Sequence, residues 1–275
     1  MLIIAEKASQ NIEQLSKSSQ RWYVHSLFQN GFNLSNGKHL VFIGTDKNGE
    51  LPFAINLSDF HAKSLLKQIK QNDIFFSNRS TFENKEKNIR IEVKNNLFNN
   101  KLEKQRKIDI DRIQLWFDAI SKCQTINGFD KTIGQFINEE VKFRKIFKTE
   151  NIQDVEQILR YFLGRGKGLT PSGDDIILGI LSVDQAFPFL QSAFKQILNT
   201  LLLEKGLTTT VSEEYLTYAL KGQFSTILIK IMRFLSGSQN ESANDLLEEL
   251  LQNGHTSGLD TATGICLALV EYKEE

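Results

Sequence analysis

Ser172-Gly173-Asp174-Asp175-Ile176-Ile177-Leu178-Gly179 is the stretch that decides how the second half of this chain folds. A Ser followed three residues later by an Asp reads as a helix start, with side chains placed to satisfy the first-turn amides. The apolar run behind it is far too short to cross a bilayer, so the helix belongs in a protein core. Gly179 inside that helix costs about 1 kcal/mol relative to Ala, a cost that close contact with another helix would explain. A second helix of the same pattern exists: Ser257-Gly258-Leu259-Asp260-Thr261-Ala262-Thr263-Gly264 repeats S-G-x-D-x-x-x-G. The spacing predicts two helices that cross at Gly179 and Gly264, with their N-termini opening onto one shared site.

Outward from these two segments the period stays helical. Candidate helices cover residues 108–122, 134–148, 152–163, 174–186, 188–203, 212–220, 223–235, 243–251 and 259–272, joined by short connections. The first hundred residues read differently. Strands are expected at 21–29, 39–43, 51–57, 73–77 and 88–94, the last alternating Ile89, Ile91 and Val93. The run Thr45-Asp46-Lys47-Asn48-Gly49 between two of them suggests a hairpin, and Asn36-Gly37 marks a further tight turn. Residues 59–70 have helical spacing, with Phe60, Leu65, Leu66 and Ile69 on one face. Short strands at this density favour a small barrel or curled sheet. The Lys/Asn-rich stretch 95–107 places a boundary between the two patterns. The reading is an α+β protein: a β-rich, barrel-like domain over 1–100, then an all-helical domain over 101–275 that carries both Ser-Gly loops.

Composition narrows the function. Of 275 residues, 40% are hydrophobic and 24% charged, which suits a globular chain with a sizeable core. Lys plus Arg equals Asp plus Glu at 33 each, so no chain-wide basic surface points to nucleic acid. The Lys/Asn-rich 84–107 is read as a solvated face. Cys123 and Cys266 lie far apart in apolar helical contexts and read as buried free thiols of a reducing compartment. Residues 1–10 lack the basic start and long apolar run of a signal peptide. A cytoplasmic protein without membrane segments is expected.

Chemistry concentrates in Gly164-Arg165-Gly166-Lys167-Gly168-Leu169-Thr170-Pro171-Ser172-Gly173-Asp174-Asp175. Glycines here, Gly168 and Gly173 among them, let the backbone approach a ligand or take positive φ. Arg165 and Lys167 bring positive charge, Thr170 and Ser172 bring hydroxyls, and the helix start brings free N–H groups. The pattern is not a phosphate-binding P-loop and not a dinucleotide fingerprint. The plain alternative is a well-capped helix start and nothing more. A helix terminus contributes about 0.3–2 kcal/mol to anion binding, and millimolar affinity needs about 4 kcal/mol. Arg165, Lys167 or another charged donor must therefore supply the rest. Asp174 and Asp175 sit awkwardly beside an anion: they cap the backbone, hold a hard cation such as Mg²⁺, or act on a substrate N–H.

The second loop offers Ser257, Gly258 and Asp260 in the same capping pattern, preceded by His255, the only histidine of the helical half. Such a histidine is either a hydrogen-bonded structural residue or an acid–base group. A third polar run, Leu207-Thr208-Thr209-Thr210-Val211-Ser212, opens another helix, with Ser212 as cap and Thr209 among the hydroxyls available to the pocket. In the β-rich half, His25 and Ser26 are candidates for a domain-interface pocket.

Gly-Leu-Thr-Pro-Ser-Gly-Asp-Asp at 168–175, together with Gly-His-Thr-Ser-Gly-Leu-Asp at 254–260, resembles the AllH-like family, whose named member is an oxamate carbamoyltransferase subunit. His25-Ser26-Leu27-Phe28 through Asn33-Leu34 is similar to the family's N-terminal strand pattern, and 209–216 to its polar helix start. The resemblance implies carbamoyl transfer between carbamoyl phosphate and oxamate in allantoin breakdown, with partner subunits. In that setting Arg165 and Lys167 would meet phosphate or carboxylate. His255 would protonate a leaving oxygen or polarise the carbamoyl carbonyl, with Asp174 and Asp175 beside it as further catalytic candidates. The Ser-x-Arg-Thr loop of ornithine- and aspartate-type carbamoyltransferases does not occur here. Two other readings stand beside this one: a noncatalytic ligand-binding or assembly subunit, and a metal-dependent hydrolase using Asp174, Asp175 and His255. No cofactor is required by the sequence; Mg²⁺ is the candidate where a metal acts.

Overall fold

A computed structural model describes residues 1–47, 49–139, 146–147, 149, 151–252, 254 and 256–273. The chain divides into two compact units, Met1–Asn100 and Lys101–Glu275.

The first unit is a curled sheet of ten short strands flanked by two helices. The strands are β1 (Leu2–Ile4), β2 (Lys7–Ser9), β3 (Gln20–Leu27), β4 (Gly31–Ser35), β5 (Leu40–Gly44), β6 (Ala54–Asn56), β7 (Ile74–Asn78), β8 (Thr81–Asn84), β9 (Ile89–Glu92) and β10 (Leu97–Phe98), with helices α1 (Asn11–Leu15) and α2 (Asp59–Leu66). Their order across the sheet is β1-β9-β8-β7-β3-β4-β5-β6-β2-β10. Tight turns drive the central antiparallel pairs. Gly37 takes φ +86° between β4 and β5, and Arg79 and Ser80 are both left-handed between β7 and β8. The core lies on one face, where Trp22, Val24, Phe32, Phe75 and Phe82 pack together and the Trp22 indole donates to Ser77 Oγ at 3.0 Å.

The sequence reading is corrected at two points in this unit. β5 and β6 do not form a hairpin: they pair in parallel, Phe42 with Ala54 and Ile43 with Ile55. The connection folds back before β6 begins, with Phe53 O accepting from Phe42 N and Leu51 O accepting from Ala54 N. Turn residues signal that the chain bends, but the direction of the returning strand is set by this extra loop. Asn48 of that turn lies outside the described residues. Of the face expected on α2, Leu65 and, just past the helix end, Ile69 are buried and Leu66 packs against the core, whereas Phe60 in the first turn is 76% exposed and Ala62 takes its place inside.

The second unit is all helical. Its helices are α3 (Ile110–Ser121), α4 (Ile133–Glu139), α5 (Ile152–Phe162), α6 (Ser172–Ala186), α7 (Ser192–Leu202), α8 (Thr210–Leu220), α9 (Thr226–Leu235), α10 (Ala243–Leu251) and α11 (Ser257–Lys273). Of the helix expected over 134–148, residues 140–145 and 148 lie outside the described residues. Most of these helices are amphipathic and turn one apolar stripe inward. α6 is different: nearly every one of its residues is buried, so it is the central element around which the others pack. α11 lies against it and buries Ile265, Cys266, Leu267, Ala268 and Leu269. Cys266 is a buried free thiol as expected, but Cys123 is only half-buried. No described helix is long and apolar enough to cross a membrane.

Candidate functional site

α6 and α11 cross at their glycines. A Cβ on Gly179 would fall 2.2 Å from the Thr261 carbonyl oxygen, and one on Gly264 would fall 2.1 Å from that of Ile176. Thr261 and Ile176 hold the same place in the two S-G-x-D-x-x-x-G repeats, so the crossing is close to two-fold symmetric. The symmetry extends to the second residue of each repeat. Gly173 packs on the end of α5, where a Cβ would meet Phe162 O at 2.0 Å, and Gly258 packs on the end of α10, where one would meet Leu250 O at 2.1 Å. These two glycines therefore fit each helix start against the helix before it.

The serines do not cap their own helices. Pro171 is the N-cap of α6, without a side-chain cap bond, and Ser172 is the first helical residue. The Ser172 hydroxyl instead donates to the carboxyl of Asp260 on α11. In the mirrored relation, Ser257 donates to Asp175 on α6. α8 is corrected in a related way: its N-cap is Thr209, which accepts from Ser212 N at 3.1 Å, and Ser212 lies inside the helix.

A shell of hydroxyls ties the three helix starts together. Thr170 and Ser257 hydroxyls are 2.6 Å apart. Thr209 donates to Leu169 O, and Thr208 donates to Asp174 Oδ2. Asp174 Oδ1 accepts from Gly164 N at 2.9 Å, so both oxygens of Asp174 fix loops. Successive residues of a helix point about 100° apart, and Asp175 accordingly faces α11 instead. Asp260 Oδ1 accepts from Gly128 N at 3.0 Å. The Oδ2 atoms of Asp175 and Asp260 are buried without a hydrogen-bond partner.

The electrostatics follow from this burial. Desolvation pushes the Asp175 carboxyl well above the usual carboxylate range, and the nearby charges of Asp260 and Asp174 add to it; Ser257 and Thr170 pull the other way. Asp174 and Asp260 are raised by burial too, against the hydrogen bonds they accept. Burial and the Asp175 carboxyl together raise the Tyr215 phenol.

The glycine-rich loop closes over the start of α6. Gly164, Gly166 and Gly168 all take positive φ, and the Arg165 carbonyl accepts from Gly173 N at 2.9 Å. That amide is therefore not free for an anion, contrary to the expectation of an open helix terminus. Arg165 and Lys167 are exposed on this loop, with the Arg165 guanidinium stacked 3.9 Å from the Tyr161 ring centre. His255 lies outside the described residues. Among the described residues no three or more His, Cys, Asp or Glu side chains gather as a metal cluster. In the β-rich unit a register shift between Val24 and Ser26 sets His25 beside Ser26, their Nδ1 and Oγ atoms 3.3 Å apart, and Asn33 Nδ2 donates to the same hydroxyl at 3.1 Å.

The sequence reading brought Thr170, Ser172, Asp174, Asp175, Thr209, Ser257 and Asp260 to one place. It missed Gly128, Thr208 and Tyr215. Asn127-Gly128 is a turn dipeptide that could have flagged the first, and Thr208 stood in the quoted polar run. Tyr215 lies three residues after Ser212, on the same face of α8, but a helical aromatic reads as core.

Residues 3–101 match the AllH family N-terminal domain, and residues 162–269 match the oxamate carbamoyltransferase subunit AllH. No solved structure matches the chain. The second match begins at the last residue of α5 and ends within α11, so it contains both Ser-Gly helix starts and the polar run at Thr208 and Thr209. With both segments matched over most of its length, the chain belongs to the AllH family.

Proposed function

We propose that this protein is a cytoplasmic component of a carbamoyltransferase that binds carbamoyl phosphate and an oxamate-like small anion in purine or allantoin nitrogen catabolism. One observation carries the reading: the hydroxyls of Thr170 and Ser257 meet beneath a loop whose exposed Arg165 and Lys167 form no ion pair among the described residues. Both substrates join a carbonyl-bound NH₂ to an anionic end, so a site for them needs charged donors at one end and polar oxygens at the other. Arg165 and Lys167 serve the anionic end. The hydroxyls of Thr170, Ser172 and Ser257, with the Gly168 and Gly258 backbone, serve the carbamoyl end. Asp174 and Thr209 hold the surrounding loops, and His255 protonates the leaving oxygen. The family name supports the transferase class and the existence of partner subunits.

Calorimetric titration with carbamoyl phosphate tests this. Arg165→Ala is expected to weaken binding about 10–100-fold, the effect of losing a charge-assisted hydrogen bond. Binding unchanged in both Arg165→Ala and Lys167→Ala would sink the assignment. A second reading, a noncatalytic binding or assembly subunit, is favoured by the closure of the loop over the α6 start through Arg165 O and Gly173 N. Binding without turnover, even with the partner subunits present, would decide for it.

A further inference from the structure

We propose that Asp175 and Asp260 form the two carboxylate arms of a binding site for a hard divalent cation, set between α6 and α11. The two residues hold equivalent places, each one helical turn before the glycine at which its helix crosses the other. Both are at least nine-tenths buried, at 6% and 0% exposure, and each keeps its Oδ2 without a partner. No ion pair to a described lysine, arginine or histidine reaches either one. A buried carboxylate pair with free oxygens and no cationic side chain is a set of hard oxygen ligands lacking its counter-charge.

The surroundings fit the same chemistry. Ser172, Ser257, Thr170 and Thr256 place hydroxyls at these carboxyls, and all donors are oxygen, a set that suits hard cations such as Mg²⁺ and Ca²⁺ better than softer metals. A Cβ at Gly128 would lie 1.8 Å from Ser172 Oγ and 3.2 Å from Asp260 Oδ2, so only a glycine leaves the space beside this pair open. The site differs from a pair built on the adjacent Asp174 and Asp175, because Asp174 spends both oxygens on Gly164 and Thr208. A cation here would also remove the repulsion that two carboxylates exert on an anionic ligand bound nearby.

The test uses the full chain, stripped with chelator and then titrated with MgCl₂ or CaCl₂ in the absence of carbamoyl phosphate, so its outcome is independent of the transferase reading. Equilibrium dialysis with elemental analysis is expected to find one ion per chain, with the ion raising Tm by about 5–10 °C at a hundredfold excess over its dissociation constant. Terbium, a hard-cation probe, is expected to luminesce through sensitisation by Tyr215, a readout that needs no variant. Asp175→Asn and Asp260→Asn should each weaken binding at least tenfold, while Glu103→Gln, an exposed carboxylate elsewhere, should not. No bound ion at millimolar Mg²⁺ or Ca²⁺, or equal binding by the Asn variants, would overturn the proposal, and the carboxyls would then be a pair sharing a proton.

Discussion

Gly179 and Gly264 face one another across the crossing of α6 and α11, each so close to the opposite backbone that a methyl group would overlap a carbonyl oxygen at 2.1–2.2 Å. The two backbones touch at this point, and a side chain on either glycine would push the helix starts apart. Every other relation in the site depends on that approach, because the paired Ser and Asp residues lie within two turns of it.

Gly179→Ala is the direct test of the crossing. Alanine gains about 1 kcal/mol of helix propensity, but the overlap is with backbone, which cannot swing aside. Overpacking of about 1–3 kcal/mol or more is expected to win, lowering Tm by several degrees. The same holds for Gly264→Ala. Thermal melts in which either variant is as stable as the parent would show that the helices pack less closely than described.

Thr208→Val removes the hydroxyl that satisfies Asp174 Oδ2 while keeping the side-chain shape. Asp174 is 2% exposed, so water does not replace the lost donor. The expected cost is about 1–3 kcal/mol, read as a lower urea midpoint at unchanged slope. A midpoint within experimental error of the parent would mean that Asp174 does not depend on this bond.

His25 gives the β-rich unit a pH dependence. Burial lowers its imidazole from the ordinary 6.5, so the folded state binds a proton less readily than the unfolded one. Its contribution to stability is complete above pH 6.5 and is lost as pH falls through the lower folded value. The effect is small, since the ring is partly open to water and has Ser26 beside it. His25→Gln is expected to flatten the fall in Tm between about pH 7 and pH 5. An identical slope in the variant would assign the dependence to other groups.

Much of the fold was legible in the residues. The switch from strand-like to helical patterning separates a β-rich N-terminal half from a helical C-terminal half, and the architecture follows it. β4 and β8 escaped notice because Gly31-Phe-Asn-Leu-Ser35 and Thr81-Phe-Glu-Asn84 mix polar and apolar residues over too few positions to show a period. The parallel pairing of β5 and β6 escaped for another reason: turn-forming residues report a bend but not the path taken after it.

By itself the sequence determined the two helix starts and their crossing point. A Ser, an Asp and a Gly at spacings of three and four fall on neighbouring turns of one helix face, and an interior glycine calls for a close neighbour. Tertiary structure alone decided whom those side chains serve. Ser172 reaches Asp260 and Ser257 reaches Asp175, each on the other helix, where local capping rules pointed each serine at its own first turn. Gly128, Thr208 and Tyr215 join the site from loops and helices distant in the chain. Local spacing fixes what a segment can form; which polar group meets which across α6 and α11 depends on how closely the two backbones approach.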